Sequence, residues 1–141
     1  MSPLLNSVVT AIGSGSRLKA NPWKLKISNF FDDIEEARNL FSNLMHTVGT
    51  NIAIIPSASY GVQTAAKNLQ ISAGSKILVL SDQFPSNVYP WRRIAKQKGA
   101  EIKTVNVPDG EAATDHIIDA LDERFSVCAT ANVLWLSLIH I

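Results

Sequence analysis

Lys76-Ile77-Leu78-Val79-Leu80-Ser81-Asp82-Gln83-Phe84-Pro85-Ser86-Asn87 carries the reading of the fold. Its first five residues are nearly continuous in apolar character, the pattern of a strand covered on both faces. A polar loop turning at Pro85 ends that strand. Residues 88–98 follow with helical spacing and stop at Gly99, a left-handed helix end. Glu101–Val107 alternates apolar and polar residues, which predicts a more exposed or edge strand. Pro108-Asp109-Gly110 then turns the chain into a helix over about 114–124, with Thr114 as its cap and Ile117, Ile118, Leu121 and Phe125 facing inward. Ser126–Leu134 begins another strand.

Upstream, Asn51-Ile52-Ala53-Ile54-Ile55 reads as a strand closed by Pro56, and residues 60–70 as a helix with Val62, Ala65, Ala66 and Leu69 on one side. Ile34, Ala37, Leu40, Phe41, Leu44 and Val48 recur at close to 3.6-residue spacing. Asp32, Asp33, Glu35 and Glu36 load the first turns of that helix, where they favour its positive end and need no catalytic explanation. A weaker helix over 3–19 is interrupted by Gly13 and Gly15. Strands alternating with helices are the grammar of an α/β fold, a three-layer αβα arrangement around a mostly parallel sheet.

Composition bounds the function. The 141 residues are 46% hydrophobic, enough for one domain with a buried core, and no apolar run is long enough to span a bilayer. Thirteen basic and 12 acidic side chains leave a net charge of +1, without the basic footprint of a nucleic-acid binder. Arg92 and Arg93 read as a solvated helix face. The single cysteine, Cys128, lies in an apolar run, reads as a small core residue, and favours a reducing, cytoplasmic setting. His46, His116 and His140 lack the spacing of a zinc site, and His116 sits beside Asp115 and Asp119 on a helix surface. Gly13-Ser14-Gly15-Ser16 follows a helix instead of a strand and reads as a bend.

Ligands of parallel sheets collect where strands end and helices begin. Two loops stand there. Pro56-Ser57-Ala58-Ser59-Tyr60-Gly61 offers backbone N–H groups, hydroxyls and a helix N-terminus, which together can seat a phosphate; equally, Ser57 or Ser59 can simply cap the helix. Ser81–Asn87 places Phe84 at the mouth of the sheet, where it can stack on a flat ring or pack within its loop.

The order and wording of these loops resemble the class V aminotransferase family of pyridoxal-phosphate enzymes, which includes cysteine desulfurases, selenocysteine lyases, isopenicillin N epimerase-like proteins and kynureninases. Pro56–Gly61 resembles the loop that grips the cofactor phosphate. Asp82-Gln83-Phe84-Pro85-Ser86-Asn87-Val88-Tyr89-Pro90-Trp91 resembles the ring-stacking loop, in the Phe-Pro-Ser form of kynureninases where desulfurases commonly carry His. Gly99-Ala100-Glu101-Ile102 matches the opening of the next strand, Phe31–Met45 fits a family helix, and Met1-Ser2-Pro3-Leu4 resembles the tail of an opening motif.

The resemblance implies the incomplete large domain of a fold-type I pyridoxal 5'-phosphate-dependent transferase over residues 1–135, including a helical segment 1–48. It implies that Ala58 and Ser59 hold the phosphate, that Phe84 stacks on the pyridine ring and that Asn87 lies beside it. The resemblance also implies that the Schiff-base lysine and the aspartate of the ring nitrogen lie downstream of residue 141, and none of the eight lysines here stands in the family's Ser-His-Lys context. Relatives continue after Trp135 with a Thr-Asp-Gly stretch. Leu136–Ile141 departs from it and reads as a non-native tail, such as a sequencing-adaptor scar. The expectation is an N-terminal fragment, inactive alone, of a homodimeric transferase or lyase that transaminates, epimerises or cleaves a small amino acid or amine at its β-carbon. The competing expectations are a non-catalytic doubly wound binding or interaction domain, and an unrelated domain whose loops mimic the motifs.

Overall fold

The computed structural model describes residues 3–133 and residue 135. The expected tail, 136–141, lies outside them, as do Met1, Ser2 and Leu134. The chain forms two compact units, Met1–Ile54 and Ile55–Ile141. Among the described residues no helix is long and apolar enough to cross a membrane.

The first unit is helical. Helix α1, Asn6–Lys19, runs unbroken through Gly13 and Gly15, so the expected interruption does not occur; interior glycines cost helix stability without breaking the hydrogen-bond ladder. Helix α2 spans Asp32–Leu44 with Asp32, Asp33 and Glu35 in its first turn. The apolar positions of α2 point outward: Ile34, Leu40, Phe41 and Leu44 are all exposed.

The strand expected at Asn51–Ile55 is absent. Gly49–Asn51 forms a 3-10 turn, and residues 52–55 have no ladder partner. A side chain takes their polar groups instead: Arg38 donates from Nε to the Ile52 carbonyl and from Nη2 to the Gly49 carbonyl, each at 2.9 Å. Its Nη1 pairs with Glu35 at 2.6 Å. Apolar β-branched sequence makes a strand only when a neighbour completes the ladder.

The second unit holds the sheet. Helix α3, Ala58–Asn68, precedes strand β1, Lys76–Leu80. Helix α4, Tyr89–Lys98, ends at Gly99 with φ 71°, the left-handed stop that its sequence announces. Strand β2, Glu101–Val105, helix α5, Ala113–Ala120, and strand β3, Phe125–Ala129, follow. The order is β2-β1-β3, with both pairings parallel. Central β1 is covered on both faces, as its unbroken apolar run requires. Ile77 and Val79 pack with Ala66 of α3 and with Trp91, Ile94 and Ala95 of α4. Leu78 and Leu80 pack with Val105, with Ile117 and Ala120 of α5, and with Phe125. The result is an αβα sandwich around a parallel sheet.

Three local expectations are corrected. Helix α5 begins after Ala112, with no side-chain cap, so Thr114 is inside the helix. Phe125 opens β3, and Ile118 and Leu121 are exposed, leaving Ile117 as the helix's inward residue of that set. Cys128 is exposed and not in the core. Its register partner is Leu78, on the α5 side of the sheet, but β3 lies across β1 from β2, the strand that α5 packs against.

Candidate functional site

Parallel pairing sets the carboxyl ends of β1 and β3 side by side. The crossovers leave this edge in opposite senses, β1 to β2 through α4 on one face and β2 to β3 through α5 on the other. A crevice at such a switch point is the usual ligand position of an open α/β sheet.

The loop leaving β1 is held in an unusual conformation. Asp82 has φ 54°, in the left-handed region that aspartate tolerates better than most residues. Gln83 turns inward and is buried; its Oε1 accepts from Asn87 Nδ2 at 3.4 Å, while its Nε2 has no hydrogen-bond partner among the described residues. Leaving a buried donor unsatisfied costs about 1–3 kcal/mol, and such groups gather where a site, not the fold, dictates the residue. Phe84 points out of the loop and is 47% exposed. A 3-10 turn, Pro85–Asn87, then feeds α4.

Asn87 is half-buried and fully engaged with protein. Its Oδ1 accepts from Trp91 Nε1 at 3.1 Å, and its Nδ2 donates to the Ala129 carbonyl at 3.3 Å as well as to Gln83. Indole is donor-only and a carbonyl acceptor-only, so the orientation of this amide is settled by its neighbours. Asn87 thereby pins the Phe84 loop to both α4 and the end of β3.

The second loop lies at the start of α3. Ser57 is its N-cap, accepting from the Tyr60 amide at 3.2 Å, so the capping role is real. Ala58 and Ser59 occupy the first two helical positions, where N–H groups have no carbonyl one turn back to bond. The Ser59 and Ser86 hydroxyls meet at 2.6 Å, joining this helix start to the Phe84 loop across 27 residues of sequence. An open cleft of about 510 Å³ lies there, lined by Ser57, Ser59, Tyr60, Gln63, Ser86 and Tyr89 among others. First-turn N–H groups, the positive helix end and two hydroxyls suit a phosphate, and an exposed aromatic two residues from Ser86 suits the ring that such a phosphate would carry.

One residue of this neighbourhood escaped the sequence reading. Trp135 donates from Nε1 to the Asp82 carbonyl at 2.7 Å, and its ring meets that of Phe84 nearly perpendicularly, with centroids 5.4 Å apart and an interplanar angle of 77°. No local pattern marks it, because the contact spans 53 residues in sequence.

The strongest electrostatic feature lies elsewhere. Asp122 bonds Lys76 Nζ at 2.8 Å and Arg124 Nη2 at 3.1 Å, and these cations, Lys76 foremost, hold its carboxyl well below the usual range. Lys76 opens β1, so this pair belongs to the amino end of the sheet, away from the crevice. His116 bonds Glu111 at 2.6 Å, not Asp115 or Asp119.

Comparison with known proteins gives a consistent picture. The model of the family described as Aminotransferase class-V matches residues 4–134. A probable cysteine desulfurase of Staphylococcus epidermidis is 32% identical over 95 residues, 66% of this chain and 22% of that protein. A Staphylococcus aureus protein of the same description is 26% identical over the same length. Among solved structures, the K223A mutant of C-DES, with glycine covalently linked to its PLP cofactor, superposes with a TM-score of 0.74 at 17% identity, over 94% of this chain and 36% of that one. The apo cysteine desulfurase of Thermococcus onnurineus gives 0.65 at 18% identity, over 78% of this chain and 28% of that one. The matched stretch thus spans about a fifth of the length of the curated relatives.

Proposed function

This chain belongs to the aminotransferase class-V family, and from that premise we propose that it forms the phosphate-binding and ring-stacking side of a pyridoxal 5'-phosphate site in an enzyme acting on an amino acid or amine. Its fold is a partial fold-type I large domain, a parallel sheet between helical layers. One observation carries the reading: the Ser59–Ser86 hydroxyl contact, which joins an open helix N-terminus to the loop that presents an exposed aromatic ring.

Each side chain then has a task. The Ala58 and Ser59 amides and the Ser59 hydroxyl bind the phosphate. Phe84 stacks on the ring and Asn87, beside it, keeps the loop seated against α4 and β3. When bound, pyridoxal phosphate supplies an electron sink for chemistry at the substrate α-carbon. Phe84 has no titratable group, so its side chain orients the ring and moves no proton. The amine that anchors the cofactor, the carboxylate for its ring nitrogen and the proton-transfer base come from parts of the protein beyond these residues. In this reading the chain is the N-terminal portion of a homodimeric cytoplasmic enzyme, inactive without the remainder. The relatives' description as probable cysteine desulfurases favours cleavage at the β-carbon over transamination or epimerisation.

The test is cofactor retention in the full-length enzyme. Phe84→Ala should raise the dissociation constant for pyridoxal phosphate about two- to tenfold, the worth of one aromatic pair, while the thermal midpoint of the cofactor-free protein stays the same. Equal retention in the two proteins would refute the stacking assignment.

A further inference from the structure

We infer that Trp135 is the positioning residue of the Phe84 ring, an inference that rests on the stacking role proposed for Phe84. Phe84 stands on a loop between β1 and α4, 47% exposed, and a phenyl group so placed would sample several rotamers before a ligand arrives. Two interactions from Trp135, beyond the end of β3, oppose this. The Trp135 indole fixes the backbone two residues before Phe84 through its bond to the Asp82 carbonyl, at the position where the chain takes its left-handed turn. Its ring also meets the phenyl ring in a T-shaped contact at 5.4 Å. A perpendicular pair leaves at least one face of each ring free of the other ring, so the contact with Trp135 restrains Phe84 and is compatible with a flat ligand stacking on the phenyl face that the indole does not meet.

The geometry separates the roles of the two anchors. Asn87 ties the carboxyl-terminal end of the loop to Ala129 and Trp91; Trp135 ties its amino-terminal end and is the one that touches the ring. Restricting a ligand-contacting side chain in its bound orientation lowers the entropy lost on binding. Trp135 therefore acts on cofactor affinity and ring orientation through Phe84, and its effect should disappear when Phe84 is gone.

A double-mutant cycle in the full-length holoenzyme tests this. The readouts are the dissociation constant for pyridoxal phosphate and the visible circular dichroism of the bound cofactor, which reports its orientation and not merely the amount of folded protein. Trp135→Ala should weaken binding about two- to tenfold and diminish the dichroism per bound cofactor. Trp135→Phe, which keeps an aromatic edge, should restore most of the dichroism. In a Phe84→Ala background, Trp135→Ala should change affinity no further. Should Trp135→Ala fail to fold, Trp135→Leu takes its place in the cycle. Equal losses from the Trp135 substitution with and without Phe84, or unaltered affinity and dichroism with Phe84 present, would overturn the inference while leaving the stacking role intact. Unchanged retention in Phe84→Ala would overturn the stacking role itself, and the inference with it.

Discussion

Residues 1–54 and residues 55–141 are written in similar sequence patterns and differ in what those patterns bury. In the first unit α1 and α2 carry apolar residues at helical spacing, yet Ser42 is the only buried residue among those described there, and Ile12 is 59% exposed. In the second, α3 and α4 close over one face of β1 and α5 over the other, and Ile77 and Leu78 are at 0% exposure. Helical periodicity tells where a helix has an apolar stripe. Whether the stripe is covered depends on a partner, and within the second unit the parallel sheet is that partner. Helix starts do not follow the same division: α3 has a side-chain cap in Ser57, whereas α1, α2, α4 and α5 begin without one.

The largest test of this contrast sets Ile77→Ala against Ile12→Ala. The first should cost about 2–5 kcal/mol, because it opens a cavity in a packed core; the second should stay within about 0.5 kcal/mol, as substitutions away from packed features do. Urea unfolding midpoints measure both, and equal shifts would erase the distinction between the units.

Ser57→Ala should cost about 1 kcal/mol through loss of the α3 cap, and Leu5→Ala, at the corresponding position of α1, should cost no cap at all. A null result at Ser57 in the same unfolding experiment would mean that α3 is held by packing alone and that its serine is free to serve the cleft.

The smallest effect concerns pH. Lys76 and Arg124 depress the Asp122 carboxyl in the folded state below its ordinary value of 3.8. A carboxylate with a depressed folded pKa contributes stability above its unfolded pKa and loses it as pH falls toward the folded one. Asp122→Asn should therefore be less stable than the parent at neutral pH, with the gap narrowing below about pH 4. A gap that stays constant down through acid pH would show that the ion pair at the start of β1 contributes nothing of its own.

Much of the second unit is readable from local sequence. Lys76–Leu80 announces a doubly covered strand, Gly99 stops its helix with a positive φ, and Ser57 reads as a cap and is one. The failures share a cause. Asn51–Ile55 has strand composition but no neighbour to pair with, and Arg38 takes its carbonyl instead. Phe125 has the spacing of the preceding helix and joins a sheet. Cys128 is apolar in context but stands exposed on β3, while α5 packs against β2 on the far side of β1.

Of the candidate site, the sequence determined the pieces. The small polar loop before α3, the aromatic in the loop after β1 and the family wording around both are local, because capping, turn formation and helix termination involve residues three or four apart. Tertiary structure alone decided what those pieces face. The parallel order β2-β1-β3 puts the end of β1 beside the end of β3, and only that adjacency brings Ala129 to Asn87 and Trp135 to Phe84 and Asp82. The Ser59–Ser86 contact likewise joins two loops 27 residues apart. Such contacts depend on which strands pair and which faces the helices cover, a cooperative outcome of the whole core that no window of neighbouring residues encodes.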